Sequence, residues 1–69
     1  MHDETKKTII DLFNKYEIEI KKIYSTEKIL SVEIDEVINS VTLYELNNIC
    51  NYFILSNNDI TIFEFREFI

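Results

Sequence analysis

From Asp3 to about Tyr16 the apolar positions recur at helical spacing. Ile9, Leu12, Phe13 and Tyr16 share one face, and Glu4, Lys7, Asp11 and Lys15 fall largely outside it. The pattern predicts an amphipathic helix. One longer helix through Ile20 and Ile23 is the alternative, but Tyr16, Ile18 and Ile20 alternate with Glu17 and Glu19, which weakens the helical period there. Ser25-Thr26-Glu27 then has the form of a helix start, a hydroxyl cap followed by an acid in the first turn. Behind it Leu30, Ile34, Val37 and Val41 recur at helical spacing, which predicts a second amphipathic segment over residues 27–38.

The next stretch, Val41 to about Leu55, is strongly apolar. Leu43, Leu46, Ile49, Cys50 and Phe53 share a helical face, and Asn47, Asn48 and Asn51 face out. Ser56-Asn57-Asn58-Asp59 reads as a turn. Thr61-Ile62-Phe63-Glu64 has capping-box spacing and would open a last helix with Ile62, Phe65 and Ile69 inward, flanked by Phe63 and Phe68. Phe13, Leu46, Phe53 and Phe65 are the expected centre of the core.

Sixty-nine residues make one domain, residues 1–69, and 46% hydrophobic content is too apolar for a disordered chain. The absence of Gly and Pro excludes phosphate-cradling glycine loops, dinucleotide-binding fingerprints and tight hairpin turns, on the expectation that all of these need residues free to adopt positive φ. Helices joined by short irregular loops are the economical solution. The expected fold is all-α: three main helices, with room for a short fourth, packed up-and-down around one core. A net charge of −6 disfavours nucleic-acid phosphates and anionic membranes and favours basic protein surfaces. Cys50 is the single cysteine, which rules out an intrachain disulfide and a Cys-rich zinc site, and His2 is the single histidine, so neither a metal site nor a His-based triad is expected. No apolar run approaches a membrane span, and a cytoplasmic monomer is expected.

Ile38-Asn39-Ser40-Val41-Thr42-Leu43-Tyr44-Glu45-Leu46 sets a serine at an expected helix start. Asn39 or Ser40 there satisfies orphan backbone N–H groups as an ordinary cap. The stretch also resembles the attachment motif of acyl and peptidyl carrier proteins. Ser40, Val41, Tyr44, Glu45 and Leu46 fall on the matching positions, and Asn39 stands where that family usually has Asp. Thr61 to Ile69 is similar to the family's closing helix, so the likeness follows the chain in order, with a loop pinned by Ile18, Ile20 and Ile23 after the first helix.

The resemblance implies a non-enzymatic carrier with 4′-phosphopantetheine esterified to Ser40, holding an acyl or aminoacyl thioester. A helix start suits the phosphodiester, because unpaired N–H groups and the positive dipole end lie beside it. Asn39, Val41, Tyr44 and Glu45 would dock a phosphopantetheinyl transferase and acyl- or aminoacyl-transferring enzymes with basic surfaces. A second resemblance competes. Ser31, Glu33 and Asp35 match a motif of small two-helix phosphatases that act on the aspartyl-phosphate of sporulation response regulators, with residues 8–24 and 27–40 as the helical hairpin. The third reading is a small acidic, helical protein-binding module of inhibitor type.

Overall fold

The computed structural model describes residues 1–57 and 59–66, and its architecture is mixed rather than all-α. Helix α1 (Asp3–Lys15) is followed by strands β1 (Lys22–Ser25) and β2 (Ile29–Ile34), helix α2 (Ser40–Ile49), and strands β3 (Tyr52–Asn57) and β4 (Ile60–Arg66). The strands form one antiparallel sheet in the order β1-β2-β4-β3. The three-helix bundle is therefore overturned. Among the described residues no helix is long and apolar enough to cross a membrane.

Helix α1 forms where the periodicity placed it. Asp3 and Glu4 complement the positive end of its dipole and Lys15 the negative end. Its termination explains the break at Tyr16. Glu17 adopts a left-handed conformation at φ 57°, its N–H donates to the Asn14 carbonyl, and the Ile18 N–H donates to the Phe13 carbonyl at 2.9 Å. Ile18 is thereby buried beside Phe13. This is a left-handed helix cap, built on Glu where Gly is usual.

Residues 27–38 do not form the expected helix. Thr26 Oγ1 accepts from the N–H groups of Lys28 and Ile29, as a helix cap would, but the Thr26 N–H donates to the Ile29 carbonyl and closes a hairpin. Ser25 pairs with Leu30, so the reversal is tight. A hydroxyl side chain here does the work expected of a glycine. Leu30, Val32 and Ile34 then point inward with strand periodicity.

Helix α2 starts at the expected place and ends at Ile49 rather than near Leu55. Cys50 is already extended, at φ −160° and ψ 148°, and Tyr52-Phe53-Ile54-Leu55 continues as β3. Aromatic and β-branched residues suit a strand better than a helix. Thr61-Ile62-Phe63-Glu64 is not a capping box but part of β4. The reversal expected around Ser56–Asp59 is present, with Asn57 paired to Ile60, so a second hairpin also forms without glycine. The flanking role expected of Phe68, the inward role expected of Ile69 and the placement of Asn58 lie outside the described residues.

Both helices cover one face of the sheet. Ile9, Leu12 and Phe13 of α1 and Leu46 of α2 join Leu30, Val32, Ile34, Phe63 and Phe65 in a single buried cluster with Ile18. Phe13 meets Phe63 edge-on at 5.8 Å and Phe65 at 6.5 Å, a favourable aromatic geometry. Tyr52 packs against both strand phenylalanines, and its hydroxyl donates to the Leu43 carbonyl, tying β3 to α2. Phe13, Leu46 and Phe65 are core residues, as expected. Phe53 is not: it is 52% exposed, because alternation in β3 sends it to the face away from the helices.

Candidate interaction surface

The second face of the sheet has no covering layer among the described residues. The strand registers place Lys22, Glu33, Ile62 and Leu55 in one row across all four strands, and Tyr24, Ser31, Glu64 and Phe53 in the next. Residues of one row stand side by side on one face, since alternate strand positions share a face. Seven of these eight line a shallow depression of about 310 Å³. Tyr24 and Leu55 are 67% and 54% exposed. The floor is chiefly apolar, with polar groups at fixed points around it.

Arg66 neutralises part of this face. Its guanidinium donates to Glu64 Oε1 through Nη2 at 2.7 Å and Nε at 3.0 Å, and it lies 5.5 Å above the Phe53 ring. Lys22 stands opposite Glu33 in the register. Two cations and two carboxylates thus balance on the outer face, although the whole chain carries −6. The acidic excess lies elsewhere. Part of it, Asp35, Glu36 and Asp59, lines a second depression with Val37, Ser56 and Thr61. Lys21 Nζ lies 3.4 Å from both Glu19 and Asp35. Its hydrogen bond to Glu19 and the negative charge of Asp35 hold its ammonium above the ordinary lysine value.

The residues singled out in the sequence fall into separate places. Asn39 is the N-cap of α2, and exposed Ser40 is its first residue. Val41 and Tyr44 are exposed as well, so Ser40, Val41 and Tyr44 give α2 an accessible first turn. Glu45 is already engaged within the chain. It accepts a hydrogen bond from the Tyr16 hydroxyl and lies 3.8 Å from Lys15 Nζ. That hydrogen bond, then partial burial and the carboxylate charge, raise the Tyr16 phenol above its ordinary value.

Ser31 and Glu33 belong to β2 on the outer face, and Asp35 follows them. Of the helical hairpin of the phosphatase reading only residues 8–15 are helical, within α1. The rest of its first arm ends in β1, and residues 27–40 are β2 and the loops around it up to the start of α2. Cys50 is half-buried, and its Sγ donates to the Arg66 carbonyl at 3.4 Å. Among the described residues no group of three or more His, Cys, Asp or Glu side chains is placed to hold a metal ion.

The outer face was missed because its apolar members, Tyr24, Phe53, Leu55 and Ile62, come from three strands assigned to other roles. The signal that could have found it is the alternation Leu30-Ser31-Val32-Glu33-Ile34 beside the β-rich Ile60 to Phe65. No protein-family model matches the chain, and neither a curated protein nor a solved structure matches it.

Proposed function

We propose that this chain is a protein-binding module whose recognition surface is the open face of its sheet. The observation that supports this most directly is the pair of cross-strand rows that leave Tyr24, Phe53 and Leu55 exposed around an apolar depression. An exposed apolar patch with fixed charges around it is the anatomy of an interface, an apolar centre inside a polar rim. Tyr and Phe supply large contact area at small cost in side-chain entropy, and Arg66 stacked on Phe53 is held in place by Glu64. The charge balance of the face favours a partner that presents apolar side chains, with basic groups able to reach the acidic depression beside it. The function is recognition rather than catalysis.

Photocrosslinking tests this reading. A benzophenone amino acid at Leu55 should give a discrete adduct with a partner in a cell extract. Excess unlabelled wild type should compete it away, and a Tyr24→Ala, Ile62→Lys double variant should not. The same probe at Lys7, an exposed residue of α1, should give no such adduct. Identical adducts from both positions would remove the outer face as the recognition surface.

A carrier function at Ser40 is the second reading, and it now rests on local features alone. Ser40 is exposed at a capped helix start beside exposed Val41 and Tyr44. Within the described residues the expected closing helix is strand β4, and a mixed fold stands in place of the bundle that extended the resemblance along the chain. Intact mass after incubation with a phosphopantetheinyl transferase and coenzyme A decides the matter. One added phosphopantetheine on wild type, and none on Ser40→Ala, would transfer the assignment to a carrier.

A further inference from the structure

The two edges of the sheet differ in kind. β1 is four residues long, begins at Lys22 and is preceded by Lys21. Short edges and lysines are what keep an exposed strand from pairing with another chain. β3 is six residues long, Tyr52-Phe53-Ile54-Leu55-Ser56-Asn57, and carries no charge. The charge-free run extends from Leu46 to Asn58 in a chain of which 29% of residues are charged. Phe53, Ile54 and Leu55 are each about half exposed, at 52%, 48% and 54%.

The backbone of this edge is ready to pair. Arg66 donates its N–H to the Asn51 carbonyl, which makes Asn51 and Arg66 a hydrogen-bonded pair of the β3–β4 ladder. Such pairs alternate in an antiparallel ladder, so Phe53 and Leu55 also bond inward to β4. Tyr52, Ile54 and Ser56 therefore direct their N–H and C=O groups out of the sheet.

We infer that the β3 edge pairs antiparallel with β3 of a second copy, joining two sheets into one of eight strands about a two-fold axis at Ile54. In that register Ile54 faces its own copy, and Tyr52 and Ser56 exchange hydrogen bonds with the partner's Ser56 and Tyr52. Phe53 meets the partner's Leu55 in the non-hydrogen-bonded positions, where side chains approach most closely.

The occupant is a second copy rather than an unrelated strand for two reasons. The segment is self-complementary about Ile54, pairing large with large at 53 and 55 and hydroxyl-bearing with hydroxyl-bearing at 52 and 56. Two chains of charge −6 repel each other over most of their surface, and this edge is where they meet with no charge on either side. Two six-residue strands make a small interface, below about 1,200 Å², so the dissociation constant should lie on the order of micromolar or weaker. The pairing also carries the apolar outer face across the axis, giving the proposed recognition surface two copies. The sequence led to the expectation of a monomer, and the edge strand argues otherwise.

Sedimentation equilibrium tests the pairing over protein concentrations from about 1 μM to about 1 mM, the range that brackets such an affinity. Wild type should shift from monomer to dimer, and Ile54→Lys should weaken association at least tenfold. Ile23→Lys, equally exposed on the opposite edge at 49%, should leave it unchanged. Register is read separately by mild oxidation in a Cys50→Ala background. Ile54→Cys should form an intermolecular disulfide readily, because facing residues of a hydrogen-bonded pair lie about 5.5 Å apart. Leu55→Cys, offset from its own copy, should form it slowly. A wild type that stays monomeric throughout overturns the proposal, as does a dimer broken equally at Ile23 or a faster crosslink at Leu55. A monomer that still crosslinks to a partner through the outer face would leave the recognition reading standing and this one not.

Discussion

The side-chain oxygen of Asn39 accepts two hydrogen bonds from Thr42, one from its backbone N–H at 2.8 Å and one from its Oγ1 at 2.9 Å. Thr42 is fully buried, the one polar residue in that class among the described residues. A single acceptor therefore caps α2 and satisfies a hydroxyl that has left water.

Removing that acceptor should be costly twice over. Asn39→Ala loses a cap, about 0.5–2 kcal/mol, and strands a buried hydroxyl, about 1–3 kcal/mol. A combined loss of roughly 2–3 kcal/mol is expected in urea unfolding, and Asn39→Asp, which keeps the acceptor, should stay near wild type. If Asn39→Ala unfolds at the wild-type midpoint, the cap does not hold α2.

Glu17 occupies a left-handed position where a side chain is disfavoured. Glu17→Gly should stabilise the protein by about 1 kcal/mol, because the cap geometry is kept and the steric cost is removed. For so small a domain that corresponds to about 4–8 °C in Tm. Calorimetry showing a lower Tm for Glu17→Gly would contradict the cap.

Phe13 and Phe53 should respond very differently to truncation. Phe13 is fully buried against Phe63 and Phe65, so Phe13→Ala should cost about 3–5 kcal/mol and leave most of the chain unfolded. Phe53→Ala removes a half-exposed ring from the outer face and should cost less than about 1.5 kcal/mol in a dilute, monomeric sample. Circular dichroism melts of the two variants compare them directly. Equal losses would place residue 53 in the core.

The Tyr16–Glu45 hydrogen bond gives stability a dependence on alkaline pH. Tyr16 holds its proton more tightly when folded than its ordinary value of 10.0 implies. Its contribution is therefore complete below pH 10 and is lost as pH rises through the elevated folded value. Wild type should lose stability above pH 10 more steeply than Tyr16→Phe, whose missing hydroxyl has nothing to lose. Parallel curves from pH 8 to 11 would show that the bond contributes nothing in solution.

Several features were legible in the chain. Ile9, Leu12 and Phe13 marked the buried stripe of α1, Asn39 and Ser40 marked the start of α2, and the polar run after Leu55 marked a reversal. Each depends on contacts between residues a few positions apart, so local pattern suffices. The strands were not legible in the same way. Leu30 and Ile34 lie on one face whether the chain is helical or extended, since both four helical residues and two strand repeats return a side chain to its starting side. The Thr26 hydroxyl accepts from the N–H groups two and three residues on, those of Lys28 and Ile29, as it would whether it opened a helix or closed a hairpin. Thr61 to Glu64 has cap spacing, but β4 is paired on both sides, with β2 and β3, and sheet pairing across distant segments overrides a cap signal. The exposed placement of Phe53 and the accessible surface around it were decided at the same level. Only the strand order, which sets β3 at an edge and puts both helices on the opposite face, determines which side of each strand meets water.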